Sequence, residues 1–306
     1  TGRCCLKNLG NNHIETNSMS RRIILSWCIS FASFLSVLGQ SVIKESQKFY
    51  SNLLNKDVSY SIYLPDGYGL SERTYPVLYL LHGWTDDETS WIQMGDMQAI
   101  TDRAIMQGLA AKMIVVMPNA WETWYVNSYD EKFPYEDMFF EELIPYIQRT
   151  YKARTEKQFR AIAGLSMGGY GAFLYTLHHP EYFTACAPLS AAIYTENQMK
   201  KALNTDRGKL FDKLYGKGNL TPYWYENSVL YLLERMEDGV SLNVLYYIDC
   251  GDDDTLLHGN NLAHELLREK NIAHEFRVRD GGHTWTYWRT ALPSVLEFIS
   301  KRFRRS

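Results

Sequence analysis

Short apolar runs alternate along the chain with longer polar and amphipathic stretches, and this rhythm predicts an α/β fold. The runs at 57–64, 75–81, 113–117, 159–163, 184–189, 243–249 and 273–279 are rich in β-branched, aromatic and leucine residues and too short for helices, so they read as strands. Helices are predicted at 96–108, 136–150, 167–178, 257–270 and 287–302. Strands alternating with helices imply a mostly parallel sheet with helices on both faces. Between Ala191 and Asn243 the strand rhythm lapses. Gly208, Gly216 and Gly218 stand there among charged residues, and Tyr223-Trp-Tyr225 follows Pro222, which predicts a small helical cap inserted at 191–242 beside the active site. Trp121 to Pro134 reads as a long aromatic loop. No internal repeat, linker or low-complexity tract interrupts 40–306, which reads as a single domain.

The amino-terminal pattern is different. Met19-Ser-Arg21-Arg22 is a positive start, Ile23 to Leu38 is a predominantly apolar, uncharged run of sixteen residues, and Val37-Leu-Gly39 offers small residues for cleavage. This predicts a secretory signal peptide over 19–39, cleaved before Gln40, and too short for a confident membrane span. The alternative is a hydrophobic helix retained as an anchor. Residues 1–18 precede Met19 and read as upstream sequence or a cloning addition. The localisation that follows is secreted or periplasmic, with no stable membrane insertion after cleavage.

One motif carries chemistry. The apolar run Phe159–Ala163 feeds Gly164-Leu-Ser166-Met-Gly168, and a helical segment follows. Strand, Gly-x-Ser-x-Gly turn and helix are the setting of a nucleophile elbow, in which the serine hydroxyl stands at a helix N-terminus. Such a serine needs a base and an orienting acid further along the chain. Two predicted strands end in suitable loops: Cys250-Gly-Asp-Asp-Asp-Thr-Leu256 and Asp280-Gly-Gly-His-Thr-Trp285. Of eight histidines, His283 is the base by elimination. His178 and His179 close the elbow helix before Pro180, while His258, His264 and His274 fall on or beside a polar helix and read as surface residues. His13 precedes the mature chain. The acid is placed at Asp254, with Asp252 next and Asp249 third, because adjacent like charges cannot all be buried. The oxyanion donors are placed at the backbone amides of Met167, after the nucleophile, and Trp84, in the His82-Gly83-Trp84 loop after the strand at 75–81. His82 reads as a structural residue of that loop.

Leu80-Leu-His-Gly-Trp84, Gly164-Leu-Ser-Met-Gly168, Cys250-Gly-Asp-Asp-Asp-Thr255 and Gly281-Gly-His-Thr-Trp-Thr-Tyr-Trp288 together resemble the esterase D-like branch of the α/β-hydrolases. The likeness covers roughly residues 45 to 303 and is closest to secreted feruloyl and acetyl-xylan esterases. The resemblance implies an α/β-hydrolase fold, the acid at the last aspartate of the Cys-Gly-x-x-Asp loop, which is Asp254, and a serine carboxylic-ester hydrolase. It implies a feruloylated or acetylated oligosaccharide, or a small ester, as substrate. An acyltransferase or a peptidase on the same three residues is the alternative within this fold, and a non-catalytic carbohydrate-binding module is disfavoured by the intact elbow.

Composition narrows this further. The net charge of −3 leaves no basic footprint for nucleic acid. Aromatic residues make up 14% of the chain, enough for some to stack on a substrate ring outside the core. Trp285, Trp121 and Trp124 are the expected substrate-binding residues. No Cys/His cluster has metal-ligand spacing and no glycine-rich loop has a nucleotide-binding pattern, so neither a metal nor a cofactor is expected. Cys186 and Cys250 read as two buried free thiols.

Overall fold

Every residue of Val77–Leu81 and of Arg160–Leu165 is buried, as strands covered by helices on both faces must be. The computed structural model describes residues 1, 40–70, 72–218, 220–237 and 242–304. The expected leader at 19–39, and all that precedes it except Thr1, lie outside the described residues.

The strands are β1 (Val42–Ser51), β2 (Lys56–Leu64), β3 (Val77–Leu81), β4 (Ile114–Pro118), β5 (Arg160–Leu165), β6 (Ala185–Leu189), β7 (Leu245–Gly251) and β8 (His274–Arg279). They form one sheet in the order β1-β2-β4-β3-β5-β6-β7-β8. From β4 to β8 all neighbours are parallel, and β1 and β2 add an antiparallel edge. The expected α/β-hydrolase architecture, a mostly parallel sheet between helical layers, is the one observed.

The helices are α1 (Ser90–Gln93), α2 (Met97–Met106), α3 (Tyr135–Asp137), α4 (Ile144–Thr150), α5 (Met167–His178), α6 (Glu196–Leu203), α7 (Gly208–Tyr215), α8 (Pro222–Glu226), α9 (Val229–Arg235), α10 (Leu257–Glu269) and α11 (Trp285–Arg304). A π turn, Met138–Leu143, joins α3 to α4. Side chains alternate across the pleat. Val77, Tyr79 and Leu81 of β3 join one core with Phe139, Phe173 and Tyr175, whereas Leu78 and Leu80 join a second core with Ala104, Ala291 and Leu292. Thus α3–α5 cover one face, and α2 and α11 the other.

Register positions the site. Leu81 pairs with Gly164, Leu165 with Leu189, and Leu189 with Asp249, so β3, β5, β6 and β7 end side by side. Their following loops gather at one edge, the carboxyl ends where open α/β sheets place ligands.

One strand departs from expectation. Strand β1 has no counterpart among the predicted strands. It is an edge strand with most residues wholly or partly exposed, and a register shift between Lys44 and Gln47 breaks its alternation. The described residues of the stretch 191–242 hold the helices α6 to α9. No helix among the described residues is long and apolar enough to cross a membrane.

Candidate active site

Strand β5 ends at Leu165 and α5 begins at Met167, leaving Ser166 alone to turn the chain. Ser166 takes φ 55° and ψ −118°, a strained conformation for a residue with a Cβ. Its backbone is pinned on both sides. The N–H donates to Leu189 O at 2.9 Å, and its carbonyl accepts from Ala192 N at 2.9 Å and Tyr170 N at 3.0 Å. Gly168 permits this packing, because a Cβ there would meet His82 O at 2.5 Å. Gly83 does the same for the loop after β3. A Cβ on it would meet Leu165 Cδ1 at 2.7 Å and Ser166 Cβ at 3.6 Å, so the backbone at 83–84 runs beside the serine.

His283 and Asp254 arrive from the loops after the last two strands. His283 Nε2 lies 2.9 Å from Ser166 Oγ, and His283 Nδ1 lies 2.8 Å from Asp254 Oδ2. Burial works to raise the Asp254 pKa, yet the hydrogen bonds from His283 and from the Leu256 amide outweigh it and hold the carboxyl below its ordinary value. The Leu256 N–H donates to Asp254 Oδ1 at 2.9 Å. An ionised carboxylate only accepts, so Nδ1 of His283 carries the proton and its Nε2 lone pair faces the serine hydroxyl. Trp288 packs edge-on against the imidazole at 4.9 Å. The loops are fastened together: Asp253 N donates to Gly281 O at 3.1 Å and Asp252 N to Arg279 O at 3.0 Å.

The other two aspartates have separate partners. Asp252 is exposed and its Oδ1 accepts from Gly281 N at 3.0 Å. Asp249 is buried, accepts from Tyr247 Oη at 2.9 Å and Tyr287 Oη at 2.6 Å, and pairs with Arg279. Neither touches His283 in the described contacts.

Met167 opens α5, so its N–H is one of the helix's first donors, which have no acceptor within the helix. Trp84 follows Gly83 in the strand-end turn. His82 is fully enclosed. Its Nε2 accepts from Ala120 N at 2.8 Å, its Nδ1 donates to Gly83 O at 2.7 Å, and burial pushes its pKa down to about 4. It therefore stays neutral and holds the loop, as its sequence position suggests.

A cleft of about 480 Å³ opens over Ser166 and His283, walled by Trp84, Trp124 and Tyr194. Trp124 is thus at the cleft, packed against Tyr170 at 5.8 Å and Phe211 at 5.1 Å. Trp285 and Trp121 are not among its lining residues. Trp285 stands edge-on to Trp91 at 5.2 Å and to Trp288 at 5.3 Å, because α11 begins there and directs it into the packing of that face. Trp121 lines a separate cavity of about 430 Å³, with Lys56 Nζ 4.0 Å from its ring centroid.

The remaining histidines are engaged elsewhere. His178 and His179 lie 2.8 and 3.1 Å from Glu136 Oε1, so their side chains bind a buried acid as well as ending α5. His258 is exposed, but His264 Nδ1 lies 2.7 Å from His274 Nε2 and both are half-buried, which corrects the surface reading for that pair. Cys186 and Cys250 are buried and unbridged, and burial pushes the Cys250 thiol up to about 12.

The sequence reading did not single out the wall residues Trp84 (as a side chain), Tyr194, Lys201 and Arg207. One local signal was available. Thr195 and Gln198 form a reciprocal capping box that starts α6, and the Thr-x-x-Gln spacing announces it.

The chain matches the Esterase family over residues 51–299. It is 37% identical over 261 residues to an endo-1,4-beta-xylanase/feruloyl esterase of Xylanibacter ruminicola, covering 83% of this chain and 31% of that protein. The chain therefore spans about a third of that relative's length. An acetyl esterase of Caldicellulosiruptor saccharolyticus is 22% identical over 264 residues, covering 83% of this chain and 96% of that one. A solved ferulic acid esterase superposes with a TM-score of 0.76 at 32% identity, covering 87% of this chain and 99% of the other. Elbow, strand-end loops and sheet order are those of an α/β-hydrolase, and the chain belongs to the Esterase family.

Proposed function

We propose that the chain hydrolyses carboxylic esters through Ser166, His283 and Asp254. The observation that carries this reading is the run of contacts from Ser166 Oγ to His283 Nε2 at 2.9 Å and from Nδ1 to Asp254 Oδ2 at 2.8 Å. His283 takes the serine proton as Oγ attacks the ester carbonyl, and Asp254 holds the tautomer and stabilises the imidazolium. The Met167 and Trp84 amides receive the oxyanion. His283 returns the proton to the leaving alcohol. Water then adds to the acyl-enzyme by the same route, releasing the acid and restoring Ser166.

The acyl group in this reading is a hydroxycinnamate and the alcohol a sugar of a plant polysaccharide fragment. Its support is the names of the similar xylanase/feruloyl esterase and ferulic acid esterase, together with the aromatic walls Trp84, Trp124 and Tyr194. The acetyl esterase among the relatives favours a second reading, a short acyl group. Export on a leader at 19–39 belongs to the same proposal, and amino-terminal sequencing of protein recovered outside the expressing cell tests it. The substrate test is a panel of methyl ferulate, feruloylated xylo-oligosaccharide, acetylated xylan and 4-nitrophenyl acetate. Preference for the two feruloyl esters is expected. Cleavage of acetyl esters alone moves the substrate to the short-acyl class, and cleavage of none overturns the reading.

A further inference from the structure

Two cations line the cleft over Ser166 that ester cleavage itself does not require. Lys201 of α6 and Arg207, just before α7, border it together with Trp84, Tyr194 and His283. No Asp or Glu is among its lining residues. Asp254 lies buried behind His283 and is bonded to it, while Asp86, half-buried beside Gly83, is outside the lining.

Among the described residues, Lys201 and Arg207 form no ion pair, whereas the adjacent Lys200 is paired with Glu196 at 3.2 Å. Arg207 is held by uncharged partners instead, the Tyr194 hydroxyl and the ring of Trp84. Its guanidinium carbon lies 4.4 Å from the ring centroid of Trp84, in the turn beside the nucleophile. A cation stacked on an aromatic ring keeps its N–H groups available, and those that Tyr194 does not take are open to a carboxylate. An unpaired cation pointing into bulk water needs no ligand, but these two border one cleft with the nucleophile.

We propose that Lys201 and Arg207 are specificity-determining residues that bind a carboxylate carried by the ester substrate. Arg207 offers two parallel N–H donors to it and Lys201 a mobile point charge. The inference rests on ester hydrolysis at Ser166 and adds the charge of the preferred substrate. The carboxylate belongs either to the acyl side, as in the half-ester of a dicarboxylic acid, or to the alcohol side, as in a sugar chain bearing a uronic acid.

The test compares matched esters that differ by one charge. On the acyl side these are 4-nitrophenyl hydrogen adipate and 4-nitrophenyl adipamate. On the alcohol side they are the same feruloyl ester of a methyl glucuronoside and of its uronamide. For at least one pair the anionic ester should have the higher kcat/KM, by about twentyfold at low salt. Lys201→Gln and Arg207→Gln should each lower that preference about fivefold, and the double variant should abolish it. Raised sodium chloride should weaken it too, because exposed pairs are screened. Lys201 is exposed on α6, and it is Arg207 that lies over the Trp84 ring, so Lys201→Gln reads the charge without disturbing the loop that Arg207 covers. A preference confined to one pair supports the inference and locates the carboxylate. Equal kcat/KM within both pairs overturns it, as does a preference that survives the double variant. Cleavage of none of the four esters overturns the esterase reading as well, whereas cleavage without charge preference overturns this inference alone.

Discussion

The carboxylate of Asp252 accepts a hydrogen bond from the backbone N–H of Gly281 at 3.0 Å, which ties the loop carrying Asp254 to the loop carrying His283. Gly251 serves the same junction: a Cβ on it would stand 1.9 Å from Gly281 O. The two loops therefore approach backbone to backbone, and the separation of Asp254 from His283 is set by main chain.

This separates three neighbouring carboxylates by experiment. Asp254→Asn should lower kcat about 10²–10⁴-fold, since the imidazole loses the acceptor that fixes its tautomer. Asp252→Asn keeps a side-chain oxygen for the Gly281 N–H and should stay within about tenfold of wild type. Asp253, exposed, should behave likewise when changed to Asn. Steady-state kinetics on one nitrophenyl ester decide the matter. A crippled Asp252→Asn beside an active Asp254→Asn would move the acid to position 252.

Ser166→Ala should fold with unchanged secondary structure and lose several orders of magnitude in turnover, about 10⁴-fold or more. The substitution also relieves nothing in the backbone, because the turn at 166 is fixed by the hydrogen bonds to Leu189, Ala192 and Tyr170. A serine-directed phosphonate should label the wild type once, on the peptide containing Met167. Substantial esterase activity in a folded Ser166→Ala protein would place the nucleophile elsewhere.

How much of this was legible in the sequence depends on the range of the interactions involved. Strands such as Val77–Leu81 are buried on both faces and read as unbroken apolar runs, so their identity is written locally. The elbow is also local, because its glycines answer to atoms within a few residues or on the adjoining strand end. Strand β1 was not legible, since an exposed edge strand with a bulge needs little apolar alternation. Nor was the placement of Trp285 and Trp121. Trp285 is two residues from His283 in sequence, but the start of α11 swings it onto Trp91, while Trp124, far from either loop in sequence, borders the cleft. Positions of that kind, like those of Lys201 and Arg207, follow from how the insertion packs over the strand ends.

The buried acid Glu136 predicts a pH-dependent stability outside the cleft. Burial works to raise its pKa, but His178 and His179 outweigh that and hold it below the ordinary carboxylate value. Burial likewise works to lower the His178 pKa, and the Glu136 hydrogen bond and charge raise it on balance. The Glu136 contribution is present above the ordinary carboxylate pKa and fades as pH falls through its lowered folded value. The His178 contribution is present below the ordinary histidine pKa and fades as pH rises through its raised folded value. The pair is therefore fully stabilising between about pH 4.5 and 6.5. Glu136→Gln should lower the Tm more at pH 5.5 than at pH 8.5. An equal loss at both values would show that His178 is not the charged partner.

Trp285 and Trp124 offer the sharpest test of what the aromatic residues do. Trp285 contacts Trp91 and Trp288 edge-on and is absent from the cleft lining, so its truncation removes packing, not substrate contact. Trp285→Ala should cost about 2–3 kcal/mol of stability, below the 3–5 typical of a fully enclosed tryptophan because Trp285 is only half-buried. Its effects on methyl ferulate and 4-nitrophenyl acetate should then be equal within experimental scatter, measured well below the melting transition. Trp124 borders the cleft, and an aromatic contact there is worth about 0.5–1.5 kcal/mol to a cinnamoyl ring. Trp124→Leu keeps apolar bulk against Phe211 but removes the ring face. It should therefore cost methyl ferulate about two- to tenfold more in kcat/KM than 4-nitrophenyl acetate, if the contact is kept in the transition state. A selective loss of ferulate turnover in Trp285→Ala, with none in Trp124→Leu, would exchange the two assignments.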